Sequence, residues 1–365
     1  MSADLTAVGR ASETGPAGSP AREAELELTS IAVFGAGSWG TTFAKVLADA
    51  AAASGVERTI RIWGRNPETI ADINRHRNQR YLGDIELPAT VTATVDPAEA
   101  LAGAQLVVFA VPAQSLRAQL EAWRGLIPPG AVVMSLMKGL EVGSDLRMSQ
   151  VISDVAGVPA ERIAVLSGPN LAMEIARREP TASVVACADQ ALALRIARAC
   201  TAPYFRPYTS TDVVGAEIGG VVKNVIALCV GICEGKGMGD NTKASVITRG
   251  LAETTRLAVA LGGDAQTLSG LAGLGDLVAT CASKLSRNHT AGTLLGQGFT
   301  VDELGHHMTQ IAEGIKSAPA VRELARRVGV EMPITEAVVG VLAGRVEVDQ
   351  LETLLLAREL KSEGE

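Results

Sequence analysis

A glycine-rich segment between an apolar run and a helical stretch constrains this chain most. Residues 31–34 (IAVF) are a short apolar run typical of a buried parallel strand, and residues 35–40 (GAGSWG) follow directly. Residues 41–53 then carry a helical pattern. In a strand–loop–helix context, GxGxxG is the fingerprint of a dinucleotide-binding βαβ unit. The segment therefore predicts a fold that holds the diphosphate of a dinucleotide.

Each glycine of the loop has its own task. Gly35 permits the tight turn, Gly37 lets the backbone approach the diphosphate, and Gly40 lets helix and strand pack closely. The helix start that follows supplies N–H groups and the positive end of a dipole to an anion. The candidate cofactor-binding residues of this loop are Gly35, Gly37, Ser38, Trp39 and Gly40.

The end of the next strand bears on which dinucleotide binds. Residues 59–63 (TIRIW) are followed by Gly64 and Arg65, with no carboxylate before Glu68. NAD-binding proteins usually place an acid there for the ribose 2′-hydroxyl, whereas an arginine suits a 2′-phosphate. We therefore predict that Arg65 binds the cofactor, with NADP(H) preferred and NAD(H) as the alternative.

The order of the remaining patterns predicts the architecture. Apolar strand runs at 106–111, 131–135 and 163–166 alternate with helical stretches, and only helical stretches follow residue 212. A chain of 365 residues has room for two domains at roughly 150 residues each. We predict an α/β protein, with an N-terminal Rossmann-type doubly wound parallel sheet followed by an all-helical C-terminal domain. The predicted boundaries are a disordered tail at 1–28, a dinucleotide-binding domain at 29–212 and a helical substrate-binding domain at 213–365.

Charge and composition exclude several classes of protein. The net charge of −7 argues against a nucleic-acid partner. The most apolar stretch, residues 213–233, contains Glu217 and Lys223, which argues against a membrane span. Residues 1–28 lack the pattern of a secretory signal, five cysteines without a CxxC pair fit a reducing compartment, and no metal-ligand spacing occurs. We expect a cytoplasmic protein with no metal site and no membrane partner.

Six further segments are more specific than packing requires. They are residues 137–141 (MKGLE), 167–170 (SGPN), 219–224 (GGVVKN), 274–277 (LGDL), 286–288 (SRN) and 312–314 (AEG). In this order, with the glycine loop, residues 30 to about 345 resemble bacterial-type NAD(P)-dependent glycerol-3-phosphate dehydrogenases. The resemblance implies hydride transfer from the nicotinamide to C2 of dihydroxyacetone phosphate, giving sn-glycerol 3-phosphate for phospholipid synthesis. A homodimer is compatible with the Ala- and Gly-rich helical half.

The resemblance also implies roles for individual residues. Lys223 matches the catalytic lysine, and its apolar helical surroundings suit a desolvated acid/base group. Lys138 matches a lysine that touches both cofactor and substrate. The other implied substrate contacts are Gly168, Asn170, Asp276, Ser286, Arg287 and Asn288, of which the last three hold the phosphate. The other implied cofactor contacts are Tyr81, Ala172, Ile311, Glu313 and, again, Arg287.

Two other functions compete with this interpretation. One is a different two-domain dehydrogenase, acting on a hydroxy acid or on a sugar acid such as 6-phosphogluconate. The segments at 286–288 and 312–314 favour the triose phosphate, and a substrate screen would decide. The other is a non-catalytic NADP(H)-binding regulator, which we would expect to lack Lys138 or Lys223.

Overall fold

The computed structural model describes residues 27–308 and 312–350, and an eight-stranded sheet occupies their first half. In spatial order the strands are β3-β2-β1-β4-β5-β6-β7-β8. Their bounds are β1 Ser30–Phe34, β2 Thr59–Trp63, β3 Val91–Thr94, β4 Leu106–Phe109, β5 Val132–Ser135, β6 Ile163–Ser167, β7 Thr181–Cys187 and β8 Phe205–Ser210. All neighbours pair in parallel except β6 and β7, which are antiparallel. The predicted doubly wound parallel sheet is confirmed for β1 to β6, and the two further strands β7 and β8 run in the opposite direction.

Both faces of the sheet are covered, which explains the continuous apolar runs. Ile31 and Val33 of β1 face one hydrophobic cluster, whereas Ala32 and Phe34 face the other. The runs at 59–63 and 106–111 are strands, although the second ends at Phe109. Strands β3, β7 and β8 escaped prediction because each mixes polar with apolar residues.

Helices cover the sheet and build the second half of the protein. Those of the sheet half are α1 Ser38–Ser54, α2 Pro67–Ile73, α3 Gln79–Leu82, α4 Pro97–Leu101, α5 Leu116–Trp123, α6 Met148–Ala156, α7 Ala172–Ala176 and α8 Gln190–Cys200. Those of the helical half are α9 Val213–Gly235, α10 Asp240–Ala260, α11 Ala265–Ser269, α12 Asp276–Ala282, α13 Arg287–Gly296, α14 Leu304–His307, α15 Glu313–Arg327 and α16 Pro333–Leu342. Helices α2 and α3 are separate, and a π-helical segment, Leu271–Gly275, lies between α11 and α12.

The sheet half begins one residue earlier than the sequence prediction placed it. Leu28 is 1% exposed and belongs to the main hydrophobic cluster. The buried Arg58 guanidinium donates to the carbonyl oxygens of Leu28, Leu47 and Ala199 at 2.8, 2.8 and 2.9 Å. Leu28 is therefore part of the packed structure, Glu27 before it is exposed, and residues 1–26 of the predicted tail lie outside the described residues.

Helix α9 is the axis of the helical half. Of the helices described, it alone is long and apolar enough to cross a membrane, and 89% of its most apolar 18-residue window is buried inside the protein. Near its start, Glu217 accepts hydrogen bonds from Arg147 Nη1 at 2.5 Å and from the backbone N–H of Ser149 at 2.9 Å. This buried contact joins α9 to the start of α6, and so fixes α9 against the sheet half.

Glycines bring α9 and α13 into backbone contact. A Cβ at Gly231 would lie 2.2 Å from the carbonyl oxygen of His289, and one at Gly292 would lie 2.1 Å from that of Leu228. Any larger residue would therefore push the helices apart. The contact fixes the first turns of α13 beside the C-terminal half of α9.

Candidate active site

The glycine loop has the backbone that a diphosphate-binding turn needs. Gly35 has φ +129°, and a Cβ there would meet the carbonyl oxygen of Ala110 at 2.4 Å. A Cβ at Gly40 would lie 2.0 Å from the Gly35 oxygen, which explains the third glycine. No atom of the described residues lies within 4 Å of a Cβ built at Gly37. Gly37 therefore exposes its backbone at the start of α1, where N–H groups favour an anion.

The other cofactor candidates of the sheet half surround this loop. Arg65 is exposed just after β2, beside Gly64, whose Cβ would meet Ala36 of the loop at 2.6 Å. Asn78, which directly precedes α3, donates from Nδ2 to the Ala36 carbonyl oxygen at 3.1 Å and to Thr41 Oγ1 at 2.8 Å. These bonds hold α3, and with it Tyr81, against the loop.

Three more candidates follow the ends of β5 and β6. Lys138 Nζ donates to the Gly168 carbonyl oxygen at 2.8 Å and approaches Asp276 Oδ2 at 2.5 Å. Gly168 has φ +122°, and a Cβ there would lie 3.2 Å from Ser183 Cα, so a larger residue would be strained. Ala172, at the start of α7, accepts from Thr42 Oγ1 of α1 at 3.3 Å. All three therefore lie at the carboxyl edge of the sheet, on the side of the glycine loop.

Lys223 and Asp276 form the centre of the site. Lys223 Nζ lies 2.5 Å from Asp276 Oδ1 and donates to Thr280 Oγ1 at 2.7 Å. The Lys223 side chain is 10% exposed and that of Asp276 is 1% exposed. Because Lys138 binds the second oxygen of the same carboxylate, Asp276 holds two ammonium groups side by side.

Neighbouring glycines explain how the chain brings these groups together. A Cβ at Gly219 would lie 2.5 Å from the Ala272 carbonyl oxygen in the π-helical segment that precedes Asp276. A Cβ at Gly220 would lie 3.3 Å from Lys138 Cγ. The two glycines of α9 therefore make room for the Asp276 segment and for the Lys138 side chain. Local π-helices are frequent at functional sites.

The two lysines affect each other electrostatically. Burial, together with the nearby Lys223 ammonium, lowers the pKa of Lys138 to about 8, against the opposing effect of Asp276. A lysine with such a pKa can change protonation near neutrality, unlike an exposed one. The site therefore holds a cationic pair on one buried carboxylate, with one cation close to losing its proton.

The start of α13 lies in the same region. Ser286 Oγ accepts from the backbone N–H of His289 at 3.2 Å, so Ser286 is the N-cap of α13. The Asn288 side chain is held at both ends, because Nδ2 donates to Asn224 Oδ1 at 2.9 Å and Oδ1 accepts from the Gly314 N–H at 2.8 Å. Arg287 is exposed. Burial raises the pKa of the Glu313 carboxyl, and the positive charge of Arg287 lies close enough to oppose that rise.

Buried polar atoms without a partner test whether a dinucleotide fits. Among the described residues, these include Trp39 Nε1, both amide atoms of Asn170, and Glu313 Oε2. Burial raises the pKa of the Glu313 carboxyl. Buried polar groups are normally satisfied, so these atoms are suited to bonds with a bound molecule. With the open backbone at Gly37, the residues present fit a dinucleotide and a polar substrate.

Sequence reasoning missed three residues of the site. Thr280 lies four residues after Asp276 on one helix face, so its spacing could have revealed it. Asn224 lies within the quoted segment GGVVKN, but its contacts reach other elements. Asn78 gave no local signal, because its partner Thr41 lies 37 residues away. Of the predicted residues, Ile311 lies outside the described ones.

Elsewhere the described part of the chain offers little chemistry. No group of three His, Cys, Asp or Glu residues there could hold a metal ion. A cleft of about 790 Å³ includes Arg147, Asp212 and Asp264 in its lining, but none of the predicted site residues. These three charged groups already bond within the protein.

A doubly wound sheet with a glycine-rich first turn, joined to a helical half, is an architecture of nicotinamide-dependent dehydrogenases. The model for the N-terminus of NAD-dependent glycerol-3-phosphate dehydrogenase matches residues 30–193, and the model for its C-terminus matches residues 212–353. The chain belongs to this family, and it is an NAD(P)-dependent oxidoreductase.

Individual relatives agree with this assignment. The chain is 60% identical to glycerol-3-phosphate dehydrogenase [NAD(P)+] of Thermobifida fusca, over 86% of this chain and 93% of that one. It is 57% identical to the Corynebacterium jeikeium enzyme of the same name, over 92% of this chain and 100% of that one. The crystal structure of glycerol-3-phosphate dehydrogenase from Coxiella burnetii is 34% identical, with a TM-score of 0.84 over 91% of this chain and 100% of that one.

The comparisons also bear on the competing functions. A D-mandelate dehydrogenase structure, with a TM-score of 0.57, is 15% identical over 89% of this chain and 99% of that one, which is a likeness of fold alone. The relatives at 52–60% identity are dehydrogenases by name, so the non-catalytic regulator is set aside.

Proposed function

We propose that the protein reduces dihydroxyacetone phosphate to sn-glycerol 3-phosphate, with Lys223 as the proton donor. The observation that carries this proposal is the buried set of Lys138, Lys223 and Asp276, contributed by both halves of the chain. The bound nicotinamide supplies the hydride to C2. Lys223 Nζ holds the proton that the C2 oxygen needs as it becomes an alkoxide.

The partners of Lys223 fit this role. Asp276 Oδ1 and Thr280 Oγ1 each take one of the three ammonium N–H directions and leave one for the substrate oxygen. Fixing the donor in advance removes the cost of orienting it in the transition state. Lys138 adds a second positive charge beside the developing negative charge.

The start of α13 binds the substrate phosphate in this proposal. A helix N-terminus with an arginine in its first turn is a site for a dianion. Ser286, Arg287 and Asn288 hold the phosphate, while Gly168, Asn170 and Asp276 contact the rest of the substrate. Support comes from the closeness of this helix start to α9, which carries Lys223, and from the unpartnered amide of Asn170.

The carboxyl edge of the sheet binds the dinucleotide in this proposal. Gly35, Gly37, Ser38, Trp39 and Gly40 hold the diphosphate. Arg65 binds the 2′-phosphate, which makes NADP(H) the preferred cofactor and NAD(H) the alternative. The remaining contacts come from Tyr81, Lys138, Ala172, Arg287, Ile311 and Glu313. Support for Glu313 comes from its buried, unpartnered carboxylate oxygen, which can accept from a carboxamide.

We further propose where and how the protein works. It supplies sn-glycerol 3-phosphate for glycerophospholipid synthesis in the cytoplasm, without a membrane or nucleic-acid partner. The net charge of −7 and the five buried cysteines, none of which forms a disulfide, support this location. Exposed Val259, Leu274 and Val278 on the helical half support a homodimer, and light scattering after size exclusion would measure its mass.

Turnover of dihydroxyacetone phosphate with NADPH tests the function, and Lys223→Met tests the proton donor. The variant keeps length and apolarity but cannot donate a proton, so we expect kcat to fall by roughly 10²–10⁴. NADPH binding, followed by fluorescence, should be largely kept. Lys236→Met makes the same change at the exposed end of α9 and should leave kcat unchanged. Near-normal turnover by Lys223→Met would assign the proton transfer to another group.

A further inference from the structure

A chain of side-chain amides crosses the site behind the charged groups. Asn224 Nδ2 donates to the carbonyl oxygens of Lys138 and Gly220, both at 3.4 Å. Asn288 Nδ2 donates to Asn224 Oδ1 at 2.9 Å, and Asn288 Oδ1 accepts from the Gly314 N–H at 2.8 Å. Asn224 is 5% exposed and Asn288 is 8% exposed, so the chain is buried.

The partners fix the direction of both amides. Two carbonyl oxygens can only accept, so Asn224 must turn its NH₂ group toward Lys138 and Gly220. Its Oδ1 then faces Asn288, whose NH₂ group donates to it. Asn288 Oδ1 consequently meets the Gly314 N–H. The orientation of the Asn288 amide therefore depends on that of Asn224, because flipping either amide would place two donors or two acceptors opposite each other.

The chain of amides joins four segments that each carry a proposed site residue. One end bonds the backbone of Lys138, and Asn224 itself follows Lys223 on α9. Asn288 is the second residue of α13, directly after Arg287. The other end bonds Gly314, directly after Glu313 at the start of α15. The Asn224 side chain bonds both the Lys138 segment and the phosphate segment.

We propose that Asn224 is a positioning residue that couples the phosphate segment to the two lysines and to Glu313. This inference rests on the proposed function. Phosphate held at the start of α13 then places the substrate C2 oxygen at a set distance from Lys223. The same chain of amides also fixes the position of Glu313, on the cofactor side, relative to α13. The energy of binding the remote phosphate is thereby used to orient the reacting group.

Two variants remove the coupling in different ways. Asn224→Ala deletes the amide and leaves Asn288 Nδ2 and two carbonyl oxygens without this partner. Asn224→Asp keeps the volume and the acceptor but loses both donors, so it separates polarity from packing. Asn74→Ala is the matched control, because the Asn74 amide also bonds at both ends, to the backbone of Ala93, and lies outside the site.

Two readouts distinguish positioning from a merely structural role. The first is the preference for dihydroxyacetone phosphate over dihydroxyacetone, as a ratio of kcat/KM values. The second is the factor by which sn-glycerol 3-phosphate, which cannot react with NADPH, tightens NADPH binding. We expect both Asn224 variants to lose at least about tenfold in the preference, mainly through kcat, since an unmet buried hydrogen bond costs about that much. The tightening factor should shrink toward one, and Asn74→Ala should match the wild type.

The outcomes separate this inference from the proposed function. A wild-type protein that does not reduce dihydroxyacetone phosphate would overturn the function itself. An active wild type together with folded Asn224 variants that keep its preference and its tightening factor would overturn only the coupling. A uniform loss on both substrates would also overturn it, because that marks a structural role. If Asn224→Ala does not fold, Asn224→Asp alone decides.

Discussion

At the scale of single residues, the site depends on charges that share one carboxylate. Asp276 binds Lys138 through one oxygen and Lys223 through the other. Two ammonium groups this close repel each other, and the carboxylate between them offsets that repulsion. The arrangement keeps a proton donor and a second cation together where the substrate oxygen becomes negative. Its consequence for the pH dependence of the reaction can be measured.

The pKa of Lys138 predicts a pH limit on substrate use. As pH rises through about 8, the Lys138 ammonium loses its proton and its attraction for an anionic substrate. We therefore expect kcat/KM for dihydroxyacetone phosphate to fall above that pH. The substrate phosphate has a pKa of about 6, so its own titration does not account for this decline. Lys138→Arg keeps its charge, so this decline should disappear.

Asp276→Asn also tests whether Lys138 is the group that titrates, because it should shift the decline in kcat/KM rather than remove it. Asp276 raises the pKa of Lys138, so its neutralisation should lower that pKa and move the decline to a lower pH. The measurement is the position of the decline in kcat/KM, whatever the absolute rate. A decline that stays in place in both variants would mean that another group titrates.

Cofactor choice is predicted to depend on Arg65. Arg65→Asp repels a 2′-phosphate but accepts from a 2′-hydroxyl, so we expect the NADPH-to-NADH ratio of kcat/KM to fall by about tenfold or more. Arg75→Asp makes the same charge change on an exposed side chain just after α2 and should leave the ratio unchanged. Equal ratios in wild type and Arg65→Asp would exclude Arg65 from cofactor discrimination.

At the scale of elements, glycines decide how closely the segments of the site approach. The π-helical segment Leu271–Gly275 places Asp276 next to Lys223. This segment can pack against α9 only because Gly219 has no side chain. Within the segment, a Cβ at Gly273 would lie 2.1 Å from the carbonyl oxygen of Leu268. The backbone would have to move, and Asp276 lies three residues further on. The approach of Asp276 to the lysines therefore depends on this turn.

Gly273→Ala should damage both stability and catalysis. Because the clash is with backbone, we expect a lower Tm and a kcat reduced by about tenfold or more as Asp276 shifts. Gly270→Ala, in the same turn, meets nothing closer than 3.4 Å at an ordinary φ of −94° and should resemble the wild type. Thermal unfolding and steady-state kinetics on both variants make the comparison. Wild-type behaviour of Gly273→Ala would show that the turn can relax without moving Asp276.

At the scale of the whole molecule, the sequence predicts what is local and misses what is distant. The strand–glycine–helix unit at residues 31–53 follows from its own pattern, because turn and packing needs lie within one segment. The pairing of Lys138 with Asp276 joins residues 138 positions apart, and only the sheet order and α9 bring them together. The resemblance supplied those residues as candidates, whereas the amide chain through Asn224 needed the fold.

The antiparallel β7 shows the same limit. Its run TASVVAC carries no mark of direction, since direction depends on which connection precedes it. The chain passes from β6 through the short α7 and returns as β7 alongside β6. The family match covers both halves of the chain.

The central claim is that the two halves of the chain form one site that reduces a phosphorylated ketone, with the phosphate at the start of α13. Removal of the cation there, in Arg287→Leu, tests it most directly. A charge-assisted contact is worth about 1.5–3 kcal/mol, or about 10–150-fold. Arg326→Leu, on the exposed face of α15, is the matched control.

The decisive measurement is kcat/KM with NADPH for dihydroxyacetone phosphate and for dihydroxyacetone in wild type, Arg287→Leu and Arg326→Leu. The wild type and the control should prefer the phosphorylated substrate strongly. Arg287→Leu should lose about 10–150-fold of that preference, through a higher KM and a lower kcat, since the bound phosphate also positions C2. If Arg287→Leu keeps the full wild-type preference, the phosphate does not bind at the start of α13, and the account of the site is wrong.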